Sequence, residues 1–244
     1  MYILRILFFL IICLPAIAQT GKENAIQAMK DMAFKYRSVA YLSFDVHYYC
    51  FEEGASPKYV DSLNGQVKLH HDKYWYSLDS TESVMTDSGF VVTLFKEDKL
   101  MYLARSSRTS MAANPVMLLD SMLMSNKDIS FNISTIGNDQ VISLDLAPGA
   151  SFKKIRYYIN RNSGLLTKVQ MLVRASELYD PAVKERMNGE DKYVSIEALY
   201  TNYKTGLFNE TVFCIGNYIK QVGKEYAPAA PYDSYKIFAG GSKD

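Results

Sequence analysis

The sequence predicts a mainly β protein in which one large, curled antiparallel sheet, an incomplete barrel, wraps over a few helices. Tyrosine and phenylalanine number 19 and 12, and they recur at alternate positions of short segments, which is the pattern of half-buried strands. These segments follow one another closely, and parallel pairs need long crossovers, so neighbouring strands are expected to pair antiparallel. An almost wholly apolar helix candidate, Val116–Met124, has no natural place in a sandwich but would cover one face of a single sheet.

The first eighteen residues, Met1–Ala18, have the pattern of a secretory signal peptide. An early positive charge precedes the apolar run Ile6–Leu14, and Ala16-Ile17-Ala18 supplies the small residues that a signal peptidase requires. Since the run is shorter than the roughly 20 residues that span a bilayer, a membrane helix is not indicated. Cys13 lies inside the run, so lipid attachment there is the less favoured alternative. We expect a mature chain that starts at Gln19 and works outside the cytosol.

Composition narrows the classes of partner. The leader holds one of the 27 Lys and Arg residues, which leaves the mature chain with as many basic as acidic residues. This neutral balance argues against nucleic acid, which needs a basic field, and against electrostatic docking on anionic membranes. No second segment is long and apolar enough to form a membrane helix.

The elements follow from local patterns. A capping box at Thr20 and Glu23 predicts an amphipathic helix to about Arg37. Asn114-Pro115 predicts the start of the apolar helix, and Asp180-Pro181 that of a short helix to about Met187. One domain is expected over residues 19–225, followed by an extended, weakly ordered tail over 226–244. The predicted strands are Tyr41–Phe51, Asp61–His71, Tyr74–Leu78, Phe90–Phe95, Leu100–Ala104, Ile129–Ile133, Val141–Leu146, Phe152–Ile159, Leu165–Arg174, Tyr193–Tyr203 and Thr211–Lys220.

The order and spacing of these elements resemble those of the LolA/LolB-like lipoprotein-localisation carriers of bacterial envelopes, from about Glu23 to Gln221. The resemblance is carried by the following features: the glycine-bearing strand Leu63-Asn64-Gly65-Gln66-Val67, the aromatic run Lys73-Tyr74-Trp75-Tyr76, the proline-started helix at Asn114 and the late hairpin Tyr158–Leu166. It implies an incomplete barrel that encloses an apolar cavity for the acyl chains of lipids or lipoproteins. It also implies a periplasmic, soluble, non-catalytic carrier without a cofactor.

On this carrier hypothesis, apolar side chains of two strands and of the methionine-rich helix would line or plug the cavity. Met is flexible and suits promiscuous apolar surfaces, although ordinary core packing explains the same residues. The alternative function is an envelope component whose packed, ligand-free sheet binds another protein, through an edge strand or the tail. The candidate ligand-binding residues are Phe44, Val46, Tyr48, Val67, Leu69, Met117, Leu118, Met122 and Met124.

The sequence contains no complete motif for metal binding or catalysis. His47 and His70 fall on the polar faces of neighbouring predicted strands, yet zinc needs three or four ligands and no further donor has a suitable spacing. We expect these two and His71 to be solvated surface histidines. The chain has no nucleophile elbow and no glycine-rich phosphate loop, so an enzyme is disfavoured.

Two cysteines remain after the leader, Cys50 and Cys214. In an oxidising compartment they could form a disulfide that ties the first predicted strand to the last. Two buried thiols are the slightly favoured alternative.

Overall fold

The structure, a computed structural model, describes residues 21–52, 58–105, 129–147, 149–178, 193–223 and 225–240. Helix α1 occupies residues 21–38. The strands are β1 (Tyr41–Glu52), β2 (Lys58–His70), β3 (Lys73–Leu78), β4 (Thr81–Met85), β5 (Phe90–Phe95), β6 (Leu100–Arg105), β7 (Ser130–Ile136), β8 (Asp139–Asp145), β9 (Phe152–Asn160), β10 (Leu166–Arg174), β11 (Tyr193–Lys204), β12 (Ile219–Val222), β13 (Glu225–Pro228) and β14 (Lys236–Gly240).

Twelve strands form one sheet in the order β14-β6-β5-β4-β3-β2-β1-β11-β10-β9-β8-β7, and β12 pairs with β13 separately. The order is open at both ends, which confirms a mainly β protein built on a large unclosed sheet. The pairs from β2 to β6 and from β7 to β10 are antiparallel, as predicted. In contrast, β14 lies parallel to β6, so the sheet is mixed. The reason is that β14 returns to the sheet only after a long C-terminal segment, and such a crossover permits parallel pairing.

The chain divides into two compact units. In the first, α1 buries Ala25, Met29, Met32 and Ala33, which confirms the predicted amphipathic helix. The Lys22 ammonium lies 5.8 Å from the ring centroid of Phe131 in β7. A Cβ placed on Gly164 would lie 3.5 Å from the Lys35 side chain. Contacts with α1 therefore come from β7 and from the turn between β9 and β10.

That turn belongs to the late hairpin Tyr158–Leu166, which is present as expected because β9 and β10 pair antiparallel. The Asn160 carboxamide oxygen accepts hydrogen bonds from the backbone nitrogens of Asn162 and Ser163, both at 3.0 Å. Gly164 has a φ of 71°, a left-handed conformation that glycine adopts without steric cost. The side chain of Asn160 thus organises the turn, as asparagine commonly does.

In the second unit, a hydrophobic cluster joins β4, β5 and β6 to the C-terminal part of the chain. Its buried members are Val84, Val92, Leu94, Met101, Leu103, Phe213, Tyr218 and Ile219. We call residues 208–223 and 225–235 the C-terminal layer, because several of their apolar side chains pack on this cluster.

The predicted strand Thr211–Lys220 is wrong. Two 3₁₀ helices, Glu210–Phe213 and Ile215–Asn217, occupy most of it, and β12 begins only at Ile219. The Asn209 side chain accepts a hydrogen bond from the Thr211 backbone nitrogen at 2.9 Å and thereby starts the first turn. Packing of Phe213 against β4–β6 decides the conformation here, not the apolar pattern of the segment.

Two further strands lie where none was expected. The sequence pattern missed β4, because its central residues Glu82 and Ser83 are polar and yet buried. Residues 226–240 were predicted as part of a weakly ordered tail, whereas β13 and β14 order most of that stretch. The two errors have different causes. β4 pairs with its sequence neighbours β3 and β5, but its polar centre hides the alternation of a strand, whereas β14 gains its strand structure from β6, which is distant in sequence.

Several predictions concern residues outside the described ranges: the leader Met1–Ala18, the helix Val116–Met124 and the short helix at Asp180–Met187. They remain predictions. Within the described residues, no helix combines the length and apolar character needed to cross a membrane.

Candidate functional site

The second unit has one sheet face that is nearly free of charge, and we call it the uncharged face. Directly paired positions run across it from Val67 through Tyr76, Ser83, Thr93 and Tyr102 to Phe238. Since side chains alternate between the two sides of a strand, these positions and every second neighbour share the face. Within the second unit the face comprises Leu42, Phe44, Val46, Tyr48, Leu63, Gly65, Val67, Leu69, Tyr74, Tyr76, Leu78, Thr81, Ser83, Met85, Val91, Thr93, Phe95, Leu100, Tyr102, Ala104, Lys236, Phe238 and Gly240.

The structure brings the five described candidate ligand-binding residues together on this face. Phe44, Val46 and Val67 are 2%, 1% and 4% exposed, whereas Tyr48 and Leu69 are half-buried. The first three are therefore packed, and the latter two keep accessible surface. The other four candidates, Met117, Leu118, Met122 and Met124, lie outside the described residues.

Exposure rises towards the β14 edge of the face, where three aromatic rings form what we call the aromatic ladder: Phe95, Tyr102 and Phe238. They are 36%, 47% and 37% exposed. The rings of Phe95 and Tyr102 meet edge to face at 5.7 Å, and those of Tyr102 and Phe238 stack at 5.3 Å with an angle of 19°. Single apolar residues scattered over a protein surface are common. Accessible aromatic surface that continues across three strands is instead typical of a binding surface.

Gly65 lets neighbouring apolar side chains close over β2. A Cβ at this position would lie 2.6 Å from the Ser77 carbonyl oxygen, 3.0 Å from Val46 Cγ1 and 3.2 Å from Leu78 Cδ1. Because contacts below 3.0 Å with backbone atoms are not tolerated, a larger residue would displace β3 or Val46. The glycine of the predicted strand Leu63–Val67 thus has a packing role on the uncharged face.

Phe44 is enclosed by tyrosines. Its ring centroid lies 6.0 Å from Tyr36, 5.9 Å from Tyr200 and 5.0 Å from Tyr203. The hydroxyls of Tyr36 and Tyr203 are hydrogen-bonded at 2.6 Å. Burial, followed by the proximity of the Tyr36 hydroxyl, raises the pKa of Tyr203 far above its usual value. These rings therefore add polar atoms to the interior without adding charge.

The same holds for the half-buried tyrosines nearer the centre of the face. Burial raises the pKa of Tyr48. Burial also raises the pKa of Tyr76, and the neighbouring Tyr48 and Asp79 raise it further. Both phenols stay neutral at any physiological pH, so the face presents apolar ring surface and neutral hydroxyls to whatever contacts it.

The opposite face of β3–β6 is closed by the C-terminal layer around a buried carboxylate. Glu82 is 8% exposed and accepts a hydrogen bond from Trp75 Nε1 at 2.8 Å. The Tyr218 hydroxyl lies 3.4 Å from the same oxygen but donates its hydrogen to the Val212 carbonyl oxygen at 2.8 Å, and Lys96 Nζ lies 3.0 Å from the other carboxylate oxygen. Burial and Glu82 together raise the pKa of Tyr218. The buried carboxylate thus has Trp75 and Lys96 as close partners, which is the arrangement of a structural group.

A second polar cluster joins the C-terminal layer to β1 and β2. The Tyr41 hydroxyl donates to Glu210, and His70 Nδ1 lies 3.3 Å from Glu210 Oε2 with poor hydrogen-bond geometry. The hydrogen bond from Tyr41 lowers the pKa of Glu210, and the nearby His70, Lys73 and His71 lower it further. His70 itself is only 7% exposed and stacks on Tyr41 at 4.2 Å.

The expectation of solvated histidines is therefore wrong for His70, which the C-terminal layer buries. His71 is exposed, as expected, and His47 is hydrogen-bonded to the Asn64 side chain at 2.7 Å on the polar side of β1. Among the described residues, no three His, Cys, Asp or Glu side chains are grouped so as to hold a metal ion.

The cysteines do not form the possible disulfide. Cys50 and Cys214 are both free thiols. The alternative of two buried thiols also needs correction, because Cys214 is exposed at the end of a 3₁₀ helix while Cys50 is partly buried. Burial, with Asp61 and Glu52 nearby, raises the pKa of the Cys50 thiol, which makes it a poor nucleophile.

Sequence reasoning missed the exposed half of the uncharged face, namely Tyr76, Phe95, Tyr102, Lys236 and Phe238. A signal was present for Phe95 and Tyr102, because they alternate with the buried residues of β5 and β6. Lys236 and Phe238 had no such signal, since they lie in a short strand within a Gly- and Ala-containing tail.

No protein-family model matches the sequence, and no curated protein matches it. Solved structures similar to the chain include a LolA superfamily protein from Nitrosomonas europaea, 9% identical, with 78% of this chain and 96% of that protein covered at a TM-score of 0.34. A putative outer membrane lipoprotein-sorting domain from Vibrio parahaemolyticus is 10% identical over 80% of this chain and 96% of its own, at 0.35. The MucA/MucB complex of Pseudomonas aeruginosa is 13% identical over 84% and 63%, at 0.31.

The first two of these structures are described as LolA superfamily and lipoprotein-sorting proteins, which is the family that the sequence resembles. At such identities and TM-scores the likeness concerns the fold alone and carries no conclusion about ligand or activity.

Proposed function

We propose that this chain is an exported, non-catalytic envelope protein that binds the acyl chain of a lipid or lipoprotein on the uncharged face. The observation that supports this most directly is the coincidence of two properties on one face. Within the second unit the face has almost no charge across seven strands, and the rings of the aromatic ladder on it are 36–47% exposed. An acyl chain has no polar groups to satisfy, so a surface with apolar rings and neutral hydroxyls suits it.

The leader and the resemblance to lipoprotein carriers support a periplasmic location for this activity. Met117, Leu118, Met122 and Met124 remain proposed additions to the binding surface.

The test is native mass spectrometry of the mature protein purified from the periplasm, followed by organic extraction. We expect a co-purifying acyl species that displaces a neutral apolar fluorescent probe. The double variant Tyr102→Ser, Phe238→Ser should weaken probe binding about tenfold or more, because it removes two exposed rings from the site. Both residues are exposed enough for the fold to tolerate the change.

Phe34→Ser is the matched control, since Phe34 is a 71% exposed aromatic residue on α1. It should leave probe binding unchanged. A wild-type protein that carries no acyl species and takes up no probe would refute the proposal, as would equal effects of the ladder and control variants.

A second candidate is an envelope component whose packed sheet binds another protein. The burial of Phe44, Val46 and Val67 to 4% exposure or less favours it, because a filled interior leaves no room for a chain beneath these residues. On this alternative the aromatic ladder would be a protein contact. The same probe experiment separates the two, since a protein contact does not predict uptake of an acyl chain.

A further inference from the structure

The uncharged face contains a single charged side chain among its described strand positions, and that side chain is Lys236. Every other position of this face within the second unit is apolar, glycine, a hydroxyl residue or tyrosine. The charged residues Glu52 of β1 and Asp61 of β2 have the same alternation but belong to the first unit. Charged residues are common elsewhere in the same unit, on the opposite face and in the turns. A lone cation at the rim of such a face therefore needs an explanation.

Lys236 lies at one end of the aromatic ladder. Its ammonium is 5.2 Å from the ring centroid of Phe238, the residue two positions further along β14 and on the same face. Phe238 stacks on Tyr102, which contacts Phe95. The three accessible rings thus form a row that ends at the positive charge of Lys236, on the edge strand β14.

The charge of Lys236 is not neutralised by a described carboxylate. Two other lysines of this unit form ion pairs. Lys220 Nζ lies 3.3 Å from a carboxylate oxygen of Asp233, and Lys96 Nζ lies 3.0 Å from a carboxylate oxygen of Glu82. No such ion pair joins Lys236 to any part of the chain that the structure describes. The cation–π contact with Phe238 holds the Lys236 ammonium beside the ladder.

From this arrangement we infer that the uncharged face selects acyl lipids with an acidic head group, the chain lying on the aromatic ladder and the head group paired with Lys236. The inference rests on the proposed function and deepens it from acyl chains in general to anionic single-chain or multi-chain lipids. Charge complementarity supplies the discrimination, since a zwitterionic or neutral head group gains little from one lysine.

The test compares two lipids with the same single acyl chain, lysophosphatidylglycerol and lysophosphatidylcholine, below their micelle concentrations. Displacement of a neutral apolar probe from the full mature chain reports their relative affinities. We expect the wild type to prefer the anionic lipid about two- to fivefold, the effect of one partly exposed ion pair. Lys236→Ala should abolish this preference without weakening lysophosphatidylcholine, and Lys236→Arg should retain it.

Lys68→Ala is the matched control. Lys68 also lies over an aromatic ring, 4.6 Å from that of Trp75, but on the opposite face of the sheet. It should leave the preference for the anionic lipid intact. Added salt should reduce the preference of the wild type, because the ion pair is exposed to solvent.

The possible results distinguish failure of the head-group inference from failure of the proposed function. If both lipids bind the wild type equally, or if Lys236→Ala keeps the preference, the head-group inference is overturned while acyl-chain binding stands. If neither lipid displaces the probe and no probe is bound, the proposed function fails as well.

Discussion

The same strands form both faces of the second unit's sheet, but the two faces differ in burial and in charge. Residues 208–223 and 225–235 close one face around Phe213 and the buried carboxylate of Glu82. The other face keeps three exposed aromatic rings and almost no charge. Among the described residues, the C-terminal layer therefore packs on one face only. Accessible aromatic surface of the kind found on the other face is a candidate for ligand binding.

The largest loss of stability should come from removing a buried side chain on the face that the C-terminal layer closes. Phe213→Ala removes a side chain that is 1% exposed and that contacts His70, Phe208 and the Lys73 ammonium. We expect a loss of about 3–5 kcal/mol in the free energy of unfolding, measured by urea denaturation. A loss below about 1 kcal/mol would mean that the C-terminal layer is not a structural part of the sheet.

Removing the carboxylate beneath that layer should cost slightly less. Glu82→Ala leaves the Trp75 indole N–H and the Lys96 ammonium without their shared partner, whereas the Tyr218 hydroxyl keeps its hydrogen bond to the Val212 carbonyl oxygen. The expected loss is about 3 kcal/mol, because breaking a buried network leaves its remaining members unsatisfied. Glu82→Gln should retain part of the stability, since its carbonyl oxygen still accepts hydrogen bonds. Equal losses for the two variants would argue against a hydrogen-bonding role.

On the uncharged face, Gly65→Ala tests how tightly β1, β2 and β3 are packed. The new methyl group would meet the Ser77 carbonyl oxygen at 2.6 Å, so we expect a loss of about 1–3 kcal/mol in unfolding free energy. Gly206→Ala is a suitable control, because a Cβ there meets nothing within 4 Å. If Gly65→Ala were as stable as the wild type, the face would be loose enough to open beneath Val46, and the carrier proposal would gain a route to the interior.

The smallest effect concerns the contact of the C-terminal layer with β1 and β2. Hydrogen bonding from Tyr41, with His70 and Lys73 nearby, lowers the pKa of Glu210 from its ordinary value of 4.5. Because the folded-state pKa is the lower one, the stabilisation by Glu210 is present above pH 4.5 and is lost as the pH falls through the folded value.

The free energies of unfolding of the wild type and of Glu210→Gln, compared as the pH is lowered, measure this stabilisation. At neutral pH the variant should be the less stable, and the two curves should converge at the acidic end of the titration. Parallel curves at all pH values would mean that the carboxylate of Glu210 contributes nothing to folding.

Local patterns predicted much of the sheet. Phe90–Phe95 has the predicted bounds, and β1, β9 and β10 differ from them by a residue at one end. His47 was predicted on the polar side of β1, and the Asp45 carboxylate on that same side accepts hydrogen bonds from Gln66 and Asn202. Such features follow from side-chain alternation, which any single strand displays in its own sequence.

The remaining features depend on contacts between distant parts of the chain. β4 contains Glu82, whose burial is acceptable only because Trp75 and Lys96 satisfy it. Likewise, β14 is a short strand that exists through its parallel pairing with β6, and His70 is buried because the C-terminal layer reaches it.

The sequence alone determined the class of fold, the strands with clear alternation, the amphipathic face of α1 and the uncharged character of the β1 and β2 face. These depend on residue type and spacing, which act locally. Only the tertiary structure decided which face the C-terminal layer closes, where β14 pairs, and that Lys236 stands beside Phe238 and Tyr102. Those depend on pairing between residues far apart in sequence, whose register no local pattern records.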